Sequence, residues 1–122
     1  MSFRVVAVIG FLSLSALAGA AADGVRAKYS PVQYLKNFAL SVCLADGYAS
    51  GEAEKDSLAV ASGYSELGDL PFEAYEEAES LARTFLAKEY KSVSGQRLIL
   101  MKCVDLFHSR ELDQIAKKYS KK

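Results

Sequence analysis

Apolar residues recur at helical spacing along the chain after Ser30, and this periodicity constrains the fold more than any other feature. One such stripe follows the i, i+3, i+4, i+7 pattern of a single helix face: Leu35, Phe38, Ala39 and Val42. A half-buried strand would instead alternate apolar and polar residues, and the chain has no such stretch. The pattern therefore predicts an all-α fold.

Helix start and stop signals divide this part of the chain into about five helices. Ser30, Pro31 and Gln33 form a capping box with proline at the first helical position, and Gly47 suits the end of that helix. The next helices are predicted over Ala53 to Leu67, Phe72 to Tyr90 and Leu98 to Phe107, and a last one begins after Ser109. With 122 residues the chain suits a single compact bundle.

The first residues have the composition of a cleaved signal peptide. Arg4 precedes an apolar run from Val5 to Ala18, and small residues follow at the spacing that a signal peptidase requires. We expect cleavage after Ala22, with Ala20 as the competing site, so that residues 1–22 are the signal peptide and residues 23–122 the mature helical domain. The sequence thus predicts an exported, soluble periplasmic protein with no membrane segment after cleavage.

Charge is balanced in total but not along the chain. Without Arg4 there are 14 basic and 15 acidic residues, so the chain lacks the basic excess of a nucleic-acid-binding protein. The stretch from Leu44 to Ser80 has ten acidic residues and one basic residue, whereas seven basic and three acidic residues follow from Arg97 onward. A solvated helix face explains such clustering, and so does a surface that steers a charged partner.

The two cysteines and the single histidine do not form a catalytic pair. On one helix, the five-residue step from Cys103 to His108 places the two side chains roughly 140° apart around the axis. An exported chain with an even number of cysteines instead predicts a disulfide between Cys43 and Cys103. The competing interpretation, a free catalytic thiol, requires the second cysteine to stay unpaired in an oxidising compartment.

Other catalytic arrangements have little support in the sequence. Two cysteines and one histidine are too few, and too widely spaced, for a zinc site. The acidic stretch offers carboxylates for a glycosidase-like pair, but no pair lies in an apolar setting that would raise one pKa. We therefore expect no metal, no cofactor and no catalysis, and keep a small envelope hydrolase using acidic residues, or a non-catalytic envelope scaffold, as alternatives.

Three blocks of the sequence together resemble a known family. They are "YLKNFALSVCLADGY", "GYSELGDLPFEAYEEAESLA", and "YKSVSG" followed by "MKCVDLFHSRELD". In their order and in the placement of the cysteines they are similar to the type VI secretion amidase immunity proteins, in particular those that protect against the fourth class of amidase effectors.

This resemblance implies a periplasmic homodimer that binds and inhibits a papain-like peptidoglycan amidase, by inserting a loop into its cleft with help from a helix of the second subunit. We predict that the inserting loop consists of Tyr90, Lys91, Ser92, Val93, Ser94, Gly95, Gln96 and Arg97. A second predicted contact is the acidic start of the third helix, with Asp69, Glu73, Glu76 and Glu77. The small residues of the second helix are a candidate dimer contact, although packing within one subunit explains them equally well.

Overall fold

The computed structural model describes residues 27–121, which form five α-helices and contain no strand. In chain order the helices are α1 (Pro31–Gly47), α2 (Glu52–Leu67), α3 (Phe72–Leu86), α4 (Ile99–Phe107) and α5 (Arg110–Ser120). The all-α prediction is confirmed. The predicted signal peptide lies outside the described residues.

Helix α1 is the centre of the bundle and contacts all four other helices. Its start has the predicted capping box, in which the Gln33 amide donates to the Ser30 hydroxyl (3.2 Å) and the Ser30 amide donates to the Gln33 side chain (2.9 Å). Leu35, Ala39 and Cys43 are fully buried along its length. A helix buried on several sides must be apolar around much of its surface, which explains why its stripe is so easily seen.

Helix α3 packs closely against the core because small residues line its inner face. Ala74, Ala78 and Ala82 have no exposed surface, and Tyr75 and Phe85 fill the space between these contact points. The Tyr75 ring meets the Phe38 ring of α1 edge to face, with 5.0 Å between ring centres. On the outer side of α3, Glu79 and Arg83 form an ion pair one helical turn apart, with their charged groups 3.4 Å from each other.

Helix α3 ends at Leu86, one turn earlier than the sequence predicts. The Nζ of Lys102, from α4, donates to the Leu86 carbonyl at 3.1 Å. This contact satisfies one of the carbonyls that lack an intrahelical partner at a helix end. The segment between α3 and α4 is therefore longer than predicted and runs from Ala87 to Leu98.

Helix α2 has little buried surface, and Ala61 is its only buried residue. Val60 and Leu67 face outward and are 38% and 41% exposed. Helix α5 is instead fixed to the core by Leu112 and Ala116, and its predicted cap is confirmed, because the Leu112 amide donates to the Ser109 hydroxyl at 3.1 Å. Among residues 27–121, no helix is long and apolar enough to cross a membrane.

Candidate functional site

The cysteines and the histidine have separate positions and separate roles. Cys43 and Cys103 form a disulfide that joins α1 to α4, with Cα atoms 5.6 Å apart and both side chains fully buried. The predicted disulfide is confirmed, and neither sulfur is a free thiol. His108 caps the end of α4, where it is exposed and its ring lies edge-on to Phe107. The arrangement gives no nucleophile and base pair.

The remaining titratable side chains do not assemble into a catalytic or metal site within residues 27–121. No group of three or more histidine, cysteine, aspartate and glutamate residues in this range is placed to hold a metal ion. The buried polar side chains of the core are Ser41, Lys102 and Ser109. None of these is a carboxylate, so this part of the chain has no acid buried in the apolar setting that general acid catalysis uses.

The predicted inserting loop lies within the segment between α3 and α4, and its middle forms an ordered turn. The Gly95 amide donates to the Ser92 carbonyl at 3.3 Å, and Gly95 has a φ of 77°, in the left-handed region that favours glycine. The hydroxyls of Ser92 and Ser94 are 2.9 Å apart, and the Val93 side chain is fully exposed. No hydrogen bond joins Lys91–Gln96 to the rest of the described chain, and all of them except the half-buried Ser92 are exposed, so this segment projects from the bundle.

The two ends of the predicted loop are held against the bundle. The Tyr90 hydroxyl donates to the carboxylate of Asp105 at 2.5 Å. This hydrogen bond raises the pKa of Tyr90, and burial of the hydroxyl adds a smaller increase. The Arg97 guanidinium donates to the Gly47 carbonyl, at the end of α1, at 3.3 Å. Of the eight predicted residues, Tyr90 and Arg97 therefore anchor the loop, and the six between them are free to contact a partner.

The acidic start of α3 contains three exposed carboxylates and one that is paired. Asp69, Glu73 and Glu76 are exposed. Glu77 instead accepts hydrogen bonds from the Lys118 ammonium (2.7 Å) and the Tyr119 hydroxyl (2.5 Å) of α5, and these bonds lower its pKa. Phe72 stands at the same end of α3 and is 71% exposed. Phe72 is not among the site residues predicted from the sequence, although its position off the Ala74 and Ala78 stripe indicates that it faces outward.

An apolar groove lies beside the far end of the loop and was not predicted from the sequence. It has a volume of about 730 Å³ and is lined by loop residues Gln96 and Arg97 together with Leu100, Met101 and Val104 of α4. The exposed fractions of these three apolar side chains are 55%, 53% and 41%. Helix α4 is apolar on both its inner and its outer faces, which is the signal that marks this surface in the sequence.

A second apolar surface covers the outer side of α2, on another part of the bundle. Its large members on α2 are Val60 and Leu67, which are 38% and 41% exposed. The small residues Ala59 and Gly63 line the same surface, and no atom lies within 4 Å of the position that the Cβ of a Gly63 substitution would occupy. The small-residue stripe of α2 therefore faces outward and leaves room for a close approach.

A disulfide-linked helical bundle with an anchored projecting loop, and no catalytic group assembled in its described residues, has the features of a binding protein. Comparison with known families identifies which kind of binding protein it is. The sequence model of the Tai4 family, described as type VI secretion system amidase immunity protein, matches residues 33–116. The chain belongs to this family, and is thus an immunity protein by class.

A solved structure supports the same assignment. The chain is similar to one in the structure of the effector–immunity system Tae4/Tai4 from Salmonella typhimurium, with 33% identity and a TM-score of 0.71. The match covers 88% of this chain and 99% of that one. A search of curated protein sequences finds no match.

Proposed function

We propose that this protein protects its own cell by binding a type VI secreted peptidoglycan amidase and inserting the projecting loop, residues Lys91–Gln96, into the active-site cleft of the enzyme. The single observation that carries the proposal is that the loop is ordered by its own hydrogen bonds and makes none to the rest of residues 27–121. A segment that is already ordered loses less conformational entropy on binding than a flexible one. In this proposal the protein blocks catalysis and performs none itself.

The chemistry of the loop suits an active-site cleft. Ser92 and Ser94 present hydroxyls that both donate and accept hydrogen bonds, and Gly95 lets the backbone approach another surface closely. The exposed Val93 side chain supplies an apolar contact at the tip. We place the groove formed by Leu100, Met101 and Val104 in the same interface, because Gln96 and Arg97 line it and join it to the loop.

We further propose that the protein acts as a homodimer through the outer face of α2. Val60 and Leu67 are exposed there, and Gly63 permits close packing of two helices. In such a dimer the second subunit contributes the acidic start of α3, where Asp69, Glu73 and Glu76 are exposed beside Phe72. Carboxylates around an exposed aromatic side chain combine electrostatic steering with an apolar anchor.

The proposed site of action is the periplasm. Residues 1–22 have the composition of an export signal. The disulfide between α1 and α4 suits an oxidising compartment, since cytosolic reductants keep most thiols reduced. Peptidoglycan, the substrate of the proposed partner, also lies in this compartment.

Replacing Ser92–Gln96 with five glycines tests the loop. We expect inhibition of the purified amidase to weaken at least about tenfold, since both the contacts and the pre-formed turn are lost. Helix content and melting temperature should change little, because this segment makes no hydrogen bonds with the helices. The control is the double change Ala49→Gly and Ser50→Gly, in the exposed loop between α1 and α2. Equal inhibition by the five-glycine variant and the native protein would rule out loop insertion.

Two matched substitutions distinguish the two apolar surfaces. Val60 on α2 and Val104 on α4 are exposed to a similar extent, 38% and 41%, so that an aspartate at either position is tolerated by the monomer. Light scattering should show Val60→Asp to be monomeric. Val104→Asp should remain dimeric and inhibit the amidase more weakly. The reverse outcome would exchange the roles proposed for the two surfaces.

A further inference from the structure

Lys102 is a buried cation at the base of the proposed inhibitory loop. Only 8% of this residue is exposed, and it is the only charged residue in the buried set of the described chain. Removing an ammonium group from water is costly unless partners replace the lost hydration. Its Nζ donates to the Leu86 carbonyl, at the end of α3, and lies 5.7 Å from the centre of the Tyr90 ring.

Two residues of α4 therefore hold Tyr90, the first residue of the predicted loop. Lys102 lies over the face of its ring, and Asp105, three residues further along α4, accepts a hydrogen bond from its hydroxyl at 2.5 Å. Tyr90 is thus fixed at both the body and the tip of its side chain. Because the same lysine also binds Leu86, it fixes the point where the chain leaves α3.

The other end of the loop is fixed by different contacts. Leu98 adopts a left-handed backbone conformation, with a φ of 53°, which is unfavourable for leucine and persists only where the surroundings enforce it. Arg97 donates to the Gly47 carbonyl of α1 at 3.3 Å. The disulfide between Cys43 and Cys103 joins α4 to the same helix, so both ends of the loop are attached to one cross-linked unit.

We propose that Lys102 and Asp105 are positioning residues, which hold the loop in its binding conformation before the effector arrives. Lys102 is buried beneath the loop, and Asp105 contacts the hydroxyl of an anchoring residue, so their effect on a partner is exerted through Tyr90. The inference rests on the proposed function, because it assigns a role to residues that support the inserting loop.

Positioning and direct contact have different kinetic signatures. If only a fraction of molecules carries the loop in its binding conformation, the apparent affinity falls by that fraction. Such a loss reduces the association rate constant, whereas the loss of a direct interface contact mainly increases the dissociation rate constant. The two rate constants therefore separate a positioning residue from a contact residue.

The test compares Lys102→Met with the native protein. Methionine retains an unbranched apolar side chain of similar length but removes the ammonium group. We expect the backbone order parameters of Ser92–Gln96, from ¹⁵N relaxation of the free protein, to fall below about 0.6. Association with the amidase should slow by about threefold to tenfold, with less than about a twofold change in dissociation. Lys117→Met, an exposed position on α5, controls for the lost charge.

Two further variants test the same positioning role, and they do so even if Lys102→Met does not fold. Asp105→Ala alters an exposed side chain and removes only the acceptor for Tyr90, so it should slow association in the same way. Lys102→Arg restores a cationic donor and should recover at least part of the native association rate. Unchanged loop order in Lys102→Met and Asp105→Ala, or a change confined to dissociation, would overturn the inference.

The five-glycine loop variant separates this inference from the proposed function. If that variant loses inhibition while Lys102→Met and Asp105→Ala bind like the native protein, loop insertion stands and the positioning role is wrong. If the loop loosens in Lys102→Met but neither this variant nor the five-glycine variant alters inhibition, both fail, because the loop then has no part in binding the amidase.

Discussion

At the scale of single residues, Gly47 shows how closely the helices approach at the base of the loop. A Cβ atom at this position would clash with the Cγ2 of Ile99, the first residue of α4. Ile99 is itself 5% exposed, and its Cγ2 branches directly from Cβ, so it cannot swing away like the end of a long side chain. The glycine is therefore required for packing, since any side chain would push α4 away from α1.

We expect Gly47→Ala to lower the free energy of unfolding by about 1–2 kcal/mol, as over-packing outweighs the gain in helix propensity. Gly63→Ala in α2 is the matched control, because nothing lies within 4 Å of its added Cβ. In the monomer that change should stabilise by about 0.5–1 kcal/mol, because alanine favours helix. Urea unfolding measures the free energy of unfolding of both variants. Equal changes for Gly47→Ala and Gly63→Ala would contradict the packing argument.

At the scale of the elements, α5 depends on the hydroxyl at its start. Ser109 is 8% exposed and accepts a hydrogen bond from the Leu112 amide at 3.1 Å. The cap of α1 has the same chemistry, but Ser30 is exposed, so water can take the place of its hydroxyl. A buried amide that loses its acceptor has no such replacement.

Ser109→Ala should therefore destabilise the protein by about 1–2 kcal/mol and Ser30→Ala by about 0.5–1 kcal/mol. Urea unfolding gives both values. Native-state hydrogen exchange should also show that Ser109→Ala reduces protection in α5 before the other helices, since the cap acts on that helix first. Equal losses from the two substitutions would show that burial of the cap is unimportant.

The elements also show how far the sequence alone can predict this fold. The capping box of α1, the serine before α5, the glycine stops and the apolar stripes are local signals, and they place the start of α1, the start of α5 and the end of α2 correctly. The end of α3 was predicted one turn too late, because the contact that meets its last carbonyls comes from Lys102, sixteen residues away along the chain. Local propensity contains no information about such a contact.

The candidate site was predictable to a similar extent. Polar composition and Gly95 locate the loop, and the resemblance of three blocks gives the family. The anchoring of Tyr90 and Arg97, and the exposed apolar faces of α2 and α4, depend on which side of each helix meets the bundle. When a helix is apolar on several sides, its sequence does not show which side packs against the bundle.

At the scale of the whole molecule, ion pairs tie the last helix to the rest of the bundle. Glu77 of α3 accepts hydrogen bonds from Lys118 and Tyr119 of α5, while Lys36 of α1 and Asp113 of α5 are 3.4 Å apart. The Asp113 side chain is 58% exposed, and an exposed pair of this kind contributes little. Glu77 accepts from two donors of α5, so this contact is the better candidate for a measurable dependence of stability on pH.

Bonds from Lys118 and Tyr119 lower the pKa of Glu77 below its ordinary value of 4.5. A carboxyl whose pKa is lower in the folded state contributes stability above its unfolded pKa, and this contribution disappears as pH falls through the folded pKa. The melting temperature of Glu77→Gln should therefore lie below the native value at about pH 7, and the difference should narrow toward about pH 3. Calorimetry across this range measures the convergence.

Glu76→Gln is the control for the removal of an acidic charge from α3. Glu76 is exposed and makes no hydrogen bond or ion pair within residues 27–121, so its neutral variant should follow the native acid profile. Raising the salt concentration should reduce the Glu77 effect only in part, because salt screens the charge interaction with Lys118 more than the hydrogen bond that the uncharged Tyr119 hydroxyl donates to the carboxylate. A constant difference between native and Glu77→Gln proteins at every pH would show that the carboxylate charge does not join α5 to α3.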